Sequence, residues 1–351
     1  MHATLDADGR TVHLGDDARQ RFYDSRGYGR PTGGNGLELA AVEAAHRLQR
    51  GDLAGGDADG RELDFRAFLA TTGVVPEFVV YKDLRDRGFY LSPARHADNE
   101  DSGADFVVYP RGSGPWDDEI AHRVRVVGER ESIPARELGD VVLAVVDEDG
   151  DLTYFETARD APGGALDADP PDGLTGTLLA DRVLVWDPPE ALYEGHFYGQ
   201  RLYGRNADSG PLQLSLLEAA SLVRRGALTV TDADGEPMDD DSAVVARGRE
   251  VEGERFDRRL ETYTTLRGEG GVPKSGFKFG ADFRVYESFD SVSELSHSDS
   301  LVRVLSPGHT FLPRDLSLDV RLAGGVRKRM VFALTDANGG VDWLSVARLT
   351  P

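Results

Sequence analysis

Three polar side chains in the second half of the chain could together carry out acid–base chemistry. They are Tyr286, His297, which follows it by 11 residues, and Lys328, which follows it by 42. An imidazole can give a proton to a leaving group, and an ammonium group can stabilise negative charge that develops in a transition state. A free phenol has a pKa near ~10, so Tyr286 could act as a base only where neighbouring cations stabilise its charge. The chain contains no cysteine, which excludes thiolate nucleophiles and thiolate metal sites.

Only one of two copies within the chain carries all three residues. The heptapeptide GADFRVY at 280–286 appears earlier as GADFVVY at 103–109. The first copy keeps a tyrosine, Tyr109, at the position of Tyr286. Polar residues that one copy lacks are not needed for a shared fold, so we interpret them as a functional site kept in the second copy.

The other two positions differ between the copies. Alignment of RVRVV on LVRVL places Glu119 opposite His297. Alignment of VVLAVVD on MVFALTD places Gly139 opposite Lys328. The first half is therefore predicted to be inactive.

The repeat extends along the whole chain. FYDSRGYGR at 22–30 matches FYGQRLYGR at 197–205, and the segments 37–53 and 212–228 match at the same offset of 175 residues. Apolar residues at helical spacing predict one helix in each of these two segments, ended by a glycine. Further along, PEFVVYKDLRDRG predicts another helix, and the apolar runs VVLAVVD and RMVFALTD predict strands covered on both faces.

The composition predicts a soluble, cytoplasmic protein adapted to concentrated salt. The chain has 62 acidic and 40 basic residues, a formal charge of −22, and only four lysines. At 1 M salt, repulsion between surface charges is screened within ~3 Å. The acidic composition therefore indicates adaptation to a salty solvent and does not indicate the charge of the ligand. No apolar run approaches the ~18 residues of a membrane span, and nothing resembles a secretory signal.

The chain resembles the archaeal tRNA-splicing endonucleases of the double-length, homodimeric type. The resemblance rests on YTTLRGEGGVPKSGFKFGADFRVY, HSDSLV and RLAGGVRKRMVFAL, and covers essentially the whole chain. It implies an enzyme that cuts intron-containing precursor tRNA at a bulge-helix-bulge, with Tyr286, His297 and Lys328 as catalytic residues. Without a metal, a base at the 2′-hydroxyl, an acid at the leaving 5′-oxygen and a cation near the phosphorane are required. The products would be a 2′,3′-cyclic phosphate and a 5′-hydroxyl.

The repeat and the resemblance together predict an α+β fold made by tandem duplication. Each half is expected to have a small N-terminal α+β domain, followed by an α/β nuclease-like domain with a central mixed sheet. The predicted units are an N-terminal domain (1–70), a degenerate nuclease-like domain (71–158), a linker (159–178), a second N-terminal domain (179–250) and the catalytic nuclease-like domain (251–351).

Residues that bind the RNA are less clearly marked. The resemblance implies that Arg321, seven residues before the lysine, stacks on a bulge base, and Trp343 is a candidate for a second stacking face; the alternatives are a salt bridge and a core position, respectively. Arg284 shares a strand face with the tyrosine and is predicted to contact a phosphate, with a surface ion pair as the alternative. Arg327 belongs to a basic cluster that is either solvated or a nucleic-acid patch.

Two other classes of function fit the same region. Asp282 and Glu287 flank the site and could hold Mg²⁺ in a metal-dependent nuclease. The chain could also be a non-catalytic RNA-binding scaffold, as its first half is predicted to be. Asp282 has a counterpart, Asp105, in the half that lacks the histidine and the lysine, which indicates a structural role. We therefore predict neither a metal ion nor a cofactor.

An acidic turn distinguishes the first half. DEDGD supplies Asp147, Glu148, Asp149 and Asp151, whereas the second half has DANGG. The resemblance implies that this loop docks into a basic pocket on the catalytic half of a second subunit, and a solvated acidic turn is the alternative. A homodimer is predicted, because two-fold symmetry would present two cutting sites to two bulges.

Overall fold

The α+β class is confirmed by the structure, a computed structural model. It describes residues 2–15, 17–56, 61–97, 103–117, 119–204, 207, 209–336 and 338–351. No helix in this part of the chain is long and apolar enough to cross a membrane.

The first half is a small α+β domain followed by a layered α/β domain. The small domain contains β1 (His2–Leu5), β2 (Thr11–Leu14), β3 (Arg30–Pro31), β4 (Leu37–Ala40), α1 (Ala41–Gln49), β5 (Ala54–Gly56), β6 (Glu62–Leu63) and α2 (Phe65–Thr72). The second domain contains α3 (Val75–Asp86), β7 (Leu91–Pro93), β8 (Phe106–Val108), β9 (His122–Gly128), β10 (Ile133–Pro134), β11 (Val141–Val146) and β12 (Leu152–Ala158).

The second half repeats this organisation. Its small domain contains β13 (Leu174–Leu179), β14 (Arg182–Val185), α4 (Glu190–Glu194), β15 (Gln200–Arg201), β16 (Leu212–Ser215), α5 (Leu216–Arg224), β17 (Leu228–Thr231) and α6 (Ser242–Glu252). The layered domain contains α7 (Arg255–Gly268), β18 (Val272–Ser275), β19 (Phe283–Tyr286), β20 (Ser300–Leu305), β21 (Thr310–Phe311), α8 (Pro313–Gly325), β22 (Arg329–Thr335) and β23 (Val341–Leu349). Strand β13 begins inside the range predicted as linker.

The two layered domains share one ten-stranded sheet. Its order is β18-β19-β20-β22-β23-β12-β11-β9-β8-β7, so β23 and β12 join the halves in antiparallel pairing. The sheet is mixed, because β9 with β11 and β20 with β22 are parallel while the other neighbours are antiparallel. Each half has its own hydrophobic core, and a third core lies where the halves meet.

The prediction of one helix over 37–53 is wrong in its first four residues. These residues form β4, which pairs with β2, and the helix α1 begins at Ala41. The Glu43 carboxylate accepts the N–H of Ala40 at 2.9 Å, and this bond fixes the start of the helix. The second half has the same arrangement in β16 and α5. Gly51 follows α1 in the predicted left-handed conformation, with φ of 73°.

A buried carboxylate has opposite partners in the two halves. The Asp282 carboxylate forms ion pairs with Arg255 at 2.6 Å and with Arg259 at 3.0 Å. In the first half, Glu77 occupies the helix position of Arg259 and lies near Asp105, the counterpart of Asp282. Burial raises the pKa of Glu77 and that of Asp105, and the mutual proximity also raises the pKa of Glu77.

We expect Glu77→Gln to stabilise the protein at neutral pH. Because the pKa of Glu77 is raised in the folded state, the ionised carboxylate destabilises the fold above that pKa, and the destabilisation is lost as pH falls toward the pKa of the unfolded chain. The gain in melting temperature should therefore be present at neutral pH and absent at acid pH. Arg259→Gln is the opposite control, since it leaves Asp282 with fewer partners and should destabilise. A lower melting temperature for Glu77→Gln at neutral pH would contradict the assignment.

Candidate active site

Tyr286 ends strand β19 and its side chain is only 5% exposed. Its ring lies against that of Phe197 from the second small domain, with centroids 5.9 Å apart. Arg284 is two residues earlier on the same strand face, and its guanidinium carbon is 5.9 Å from the centroid of the tyrosine ring. The Nε atom of Arg284 is buried and has no hydrogen-bond partner among the described residues. The site thus holds a cation next to the phenol.

His297 lies on the loop 287–299 between β19 and β20, and its side chain is exposed. The second small domain holds the middle of this loop. The N–H of Val292 donates to the carbonyl of Glu194 at 3.1 Å, and the N–H of Ser293 donates to the carboxylate of Glu194 at 3.0 Å. The loop is therefore anchored although the imidazole faces solvent.

Lys328 lies in the connection between α8 and β22. Its N–H donates to the carbonyl of Ala323 at 2.9 Å, and Arg327 before it has a left-handed φ of 55°, which turns the chain out of the helix. Its Nζ donates to the carbonyl of Ser298 and lies 5.7 Å from the ring centroid of Phe279. Because Ser298 directly follows the histidine, this bond joins the lysine to the histidine loop.

Asp299 connects the segments that carry the three candidate residues. Its N–H donates to the carbonyl of Val285 at 2.9 Å, and its carboxylate accepts the N–H of Glu287 at 2.8 Å. Its carbonyl accepts the N–H of Arg329 at 3.0 Å. These partners flank the tyrosine and follow the lysine, so one residue fixes the relative positions of the three segments.

The local electrostatics favour loss of a proton from the lysine. Burial lowers the pKa of Lys328, the Asp299 carboxylate opposes this effect, and the positive charge of Arg284 lowers the pKa further. The lysine is thus a charged group that gives up a proton more readily than a solvated lysine does.

In the layered domains, the strand register of the two halves agrees with the alignment made from the sequence. Val124 pairs with Val142 in the first half, and Val302 pairs with Val331 in the second, each across a parallel strand pair. Counting from these pairs places the aligned residues of both copies at equivalent points of the sheet.

At these points the first half has a different set of groups. Tyr109 is buried, its hydroxyl donates to Ser92 Oγ at 3.2 Å, and burial raises its pKa. Glu119 is exposed where the second half has its histidine, and Gly139 offers no side chain where the second half has its lysine. The Tyr109 phenol is therefore held in its neutral form. The first half has neither a histidine nor a lysine at the equivalent positions.

The other predicted RNA-binding residues lie in different environments. Arg321 is exposed on α8, and Arg327 is exposed just beyond it, on the path to the lysine. Trp343 is only 8% exposed and belongs to the core of the second half. Its ring lines a cavity of about 430 Å³ together with Arg159 and Ala161. The structure thus places Arg321 on the exposed surface of α8, Arg327 directly before the lysine, and the tryptophan inside the fold.

The acidic turn of the first half connects β11 and β12. Asp147 Oδ1 accepts the N–H groups of Asp149 at 3.0 Å and Asp151 at 2.8 Å, and the matching aspartate of the second half makes the same two bonds. Glu148 forms an ion pair with Arg130 at 2.5 Å. Asp147 therefore forms the turn, whereas the other three carboxylates project from it.

Sequence reasoning missed Asp299, and it considered Arg329 only as part of the basic cluster around the lysine and Glu287 only as a metal ligand. In the structure, Glu287 Oε1 accepts a hydrogen bond from Arg329 at 2.8 Å. Comparison of the copies could have found this group, since the first half has Pro110 and Ala121 where the second has Glu287 and Asp299.

The carboxylates near the site have protein partners. Asp282 binds two arginines, and its Oδ2 accepts the N–H of Val304 at 2.9 Å. Asp105 accepts the N–H of Val126 at 2.8 Å in the same way, so this carboxylate organises the sheet in both halves. Among the described residues, no three histidine, aspartate or glutamate side chains are grouped so that they could hold a metal ion.

Comparison with known proteins assigns both kinds of domain. Residues 256–343 match the tRNA intron endonuclease, catalytic C-terminal domain, and residues 3–69 and 174–244 match the tRNA intron endonuclease, N-terminal domain. The chain is 66% identical over 345 residues to the tRNA-splicing endonuclease of Haloferax volcanii, and 58% identical over 342 residues to that of Natronomonas pharaonis, with 97% of each chain covered in both cases. It is 39% identical to the tRNA-splicing endonuclease of Methanosarcina acetivorans, over 97% of this chain and 98% of that one.

Two substitutions should move the pKa of Lys328 in opposite directions. Arg284→Gln removes a positive charge and should raise the pKa, whereas Asp299→Asn removes a negative charge and should lower it. The chain has only four lysines, so NMR titration of isotope-labelled lysine side chains can follow each one. Lys82 in the first half is the internal reference, and its signal should not respond. Shifts of the same sign in both variants would contradict the described electrostatics.

Proposed function

The chain belongs to the tRNA intron endonuclease family, and on that basis we propose that its second half cuts intron-containing precursor tRNA at both intron boundaries of a bulge-helix-bulge. Tyr286, His297 and Lys328 carry the reaction, which needs no metal ion. The first half is a non-catalytic copy that arose by tandem duplication. The observation that carries the proposal is the set of hydrogen bonds through Ser298 and Asp299, which ties together the segments of all three residues.

The reaction starts at the ribose 2′-hydroxyl next to the scissile phosphate. Tyr286, as the phenolate, takes the hydroxyl proton while the 2′-oxygen forms a bond to phosphorus. His297 gives a proton to the 5′-oxygen as the bond from phosphorus to that oxygen breaks, and Lys328 stabilises the negative charge of the phosphorane. The products are a 2′,3′-cyclic phosphate and a 5′-hydroxyl.

The environments of the three side chains support these roles. His297 is exposed on an anchored loop, where it can reach the backbone of a large RNA. Lys328 is held next to the histidine loop by the Ser298 carbonyl. Arg284 places a positive charge close to the ring of Tyr286, with its guanidinium carbon 5.9 Å from the ring centroid.

Three arginines are the proposed RNA contacts. Arg284 has a buried Nε without a hydrogen-bond partner among the described residues, which suits a phosphate contact. Arg321 is exposed on α8 and Arg327 is exposed directly before Lys328, and guanidinium planes stack on unpaired bases. Trp343 is a second stacking face only if RNA binding draws its ring out of the core.

Substitution of the three catalytic residues tests the assignment. We expect Tyr286→Phe, His297→Ala and Lys328→Ala each to lower the single-turnover cleavage rate by on the order of 10²-fold or more, because each removes one group required in the transition state. Tyr109→Phe is the matched control and should leave the rate nearly unchanged. The rates are measured on a bulge-helix-bulge RNA in excess EDTA and high salt. Equal damage from Tyr109→Phe would mean that the first half also cuts.

The same assay separates the competing functions. An RNA with a 2′-deoxy nucleotide just upstream of each scissile phosphate should bind but resist cutting, because the nucleophile is missing. Cutting of this RNA, a 5′-phosphate product or a strict need for Mg²⁺ would indicate a metal-dependent nuclease. No cutting by the wild-type protein, with or without metal, would indicate a scaffold.

We further propose that the chain works as a homodimer in which the acidic turn acts on the partner. Glu148, Asp149 and Asp151 project from the turn, while Asp147 holds its backbone. Charges that face one another across a water-poor contact keep more of their attraction in high salt than exposed pairs do. A carboxylate loop docked on a basic surface of the second subunit therefore suits a protein with this composition.

Mixed dimers test whether the turn acts between subunits. A variant with Glu148→Gln, Asp149→Asn and Asp151→Asn should form a weak, poorly active dimer, and a variant with His297→Ala should be inactive. Co-expressed and purified as the mixed dimer, the two should regain about half of the wild-type activity, because the intact turn of the second subunit serves the intact site of the first.

The matched charge control is the acidic turn of the second small domain. Asp232 holds that turn through the N–H groups of Asp234 and Glu236, as Asp147 does in the first half. Asp234→Asn with Glu236→Gln should leave dimer and activity unchanged. A fully active dimer after loss of the three charges of the first-half turn would make that turn a solvated surface loop.

A further inference from the structure

The connection between the halves packs on the catalytic domain. Residues 160–166 have no regular secondary structure, yet three successive N–H groups of this segment donate hydrogen bonds to the catalytic domain. The N–H groups of Gly164 and Leu166 donate to the carbonyls of Glu269 at 3.0 Å and Gly270 at 3.1 Å. The N–H of Ala165 donates to the carbonyl of Glu287 at 2.9 Å, directly after the catalytic tyrosine.

The contact is close enough to require glycine. A Cβ atom on Gly164 would lie 2.0 Å from the carbonyl oxygen of Gly270, a distance that no side chain tolerates. At the neighbouring Gly163, an added Cβ would meet nothing within 4 Å. The segment therefore lies on the domain in a fitted backbone contact at one glycine, whereas the other faces open space.

A side-chain bridge extends this contact to the residue after the catalytic lysine. The guanidinium of Arg329 donates to Asp160 at 2.5 Å and to the Ala161 carbonyl at 3.4 Å on the segment, and to Glu287 at 2.8 Å next to the tyrosine. Glu287 also receives the hydroxyl of Ser300. The segment thus touches the backbone next to the tyrosine and the side chain next to the lysine.

The first half lacks the groups that make this bridge. At the positions of Glu287, Asp299, Ser300 and Arg329 it has Pro110, Ala121, His122 and Asp140. The strands themselves are retained there, so the bridge is not required for the sheet. Its presence follows the catalytic residues rather than the fold.

We propose that 160–166 is a positioning strap of the active site, which acts through Glu287 and Arg329 to hold the tyrosine strand and the lysine segment at their working separation. This inference rests on the proposed roles of Tyr286 and Lys328. The strap touches no reacting atom, so its effect falls on the geometry of the catalytic groups and not on the surface that binds RNA. A displacement of about 1 Å at such groups can cost on the order of 10²-fold in rate.

Substitution of the two adjacent glycines tests the strap. Gly164→Ala should lower the single-turnover cleavage rate constant by on the order of 10²-fold, with the RNA dissociation constant little changed. Gly163→Ala, the same chemical change one residue away, should behave as wild type. Titration of the enzyme with RNA at concentrations above the dissociation constant reports the folded, binding-competent fraction, and the rate constant at saturating enzyme reports geometry. If Gly164 had only a structural role, its substitution would lower the folded fraction and leave the rate constant unchanged.

A second pair of variants keeps the test valid if Gly164→Ala does not fold. Asp160→Asn weakens the strap without altering its backbone and should lower the rate constant by roughly tenfold at most. Combined with Arg329→Gln, it should cause no further loss, since both changes remove the same bridge. Wild-type rate constants for Gly164→Ala and Asp160→Asn would overturn the strap. If Tyr286→Phe also kept the wild-type rate, the proposed catalytic set would fail instead, so the two failures are distinguishable.

Discussion

The antiparallel pairing of β12 with β23 is the interaction on which the rest of the structure depends. Five residue pairs join the sheets of the two halves into one of ten strands. Without this pairing, each half would expose an edge strand with unpaired N–H and C=O groups. The junction also creates a core to which both halves contribute, for example Phe155 from one and Leu344 from the other. The catalytic half therefore needs the first half for its own fold, whether or not that half carries chemistry.

Because the scaffold is shared, the differences between the halves separate folding from function. Glu43 and Glu218 are both buried and accept N–H groups at the start of a helix, and only their partners differ, with His96 near the first and Lys274 bound to the second. Around the site the difference is larger, since the 13 residues of α8 are replaced by the single turn Ala135–Glu137. The two buried glutamates therefore differ only in their partners, whereas the region around the site differs by an entire helix.

The sequence supported the shared strands and the three catalytic candidates because an internal copy allowed each position to be compared. It did not predict α8, which has no counterpart in the first half. It placed a helix start too early, since the apolar spacing before Ala41 fits a helix as well as a strand that leads into one. Asp299 and the bridging role of Arg329 were missed because, in so acidic a chain, a charged residue resembles solvated surface until its hydrogen bonds are known. Residue types that can do chemistry are recognisable in the sequence, whereas the residues that position them through hydrogen bonds are not.

The proposed strap is a difference between the two halves that follows from the order of the chain. One connection joins the two halves, and it reaches Glu287 and Arg329 of the second half. The proposed catalytic residues of the second half therefore lie next to a fitted backbone contact, whereas the first half has neither the histidine nor the lysine at the equivalent positions. At the positions of Glu287 and Arg329 the first half has Pro110 and Asp140, although its strands of the shared sheet are retained. Strand β12 of the first half is still required, because it pairs with β23 and completes the sheet on which the site of the second half is built.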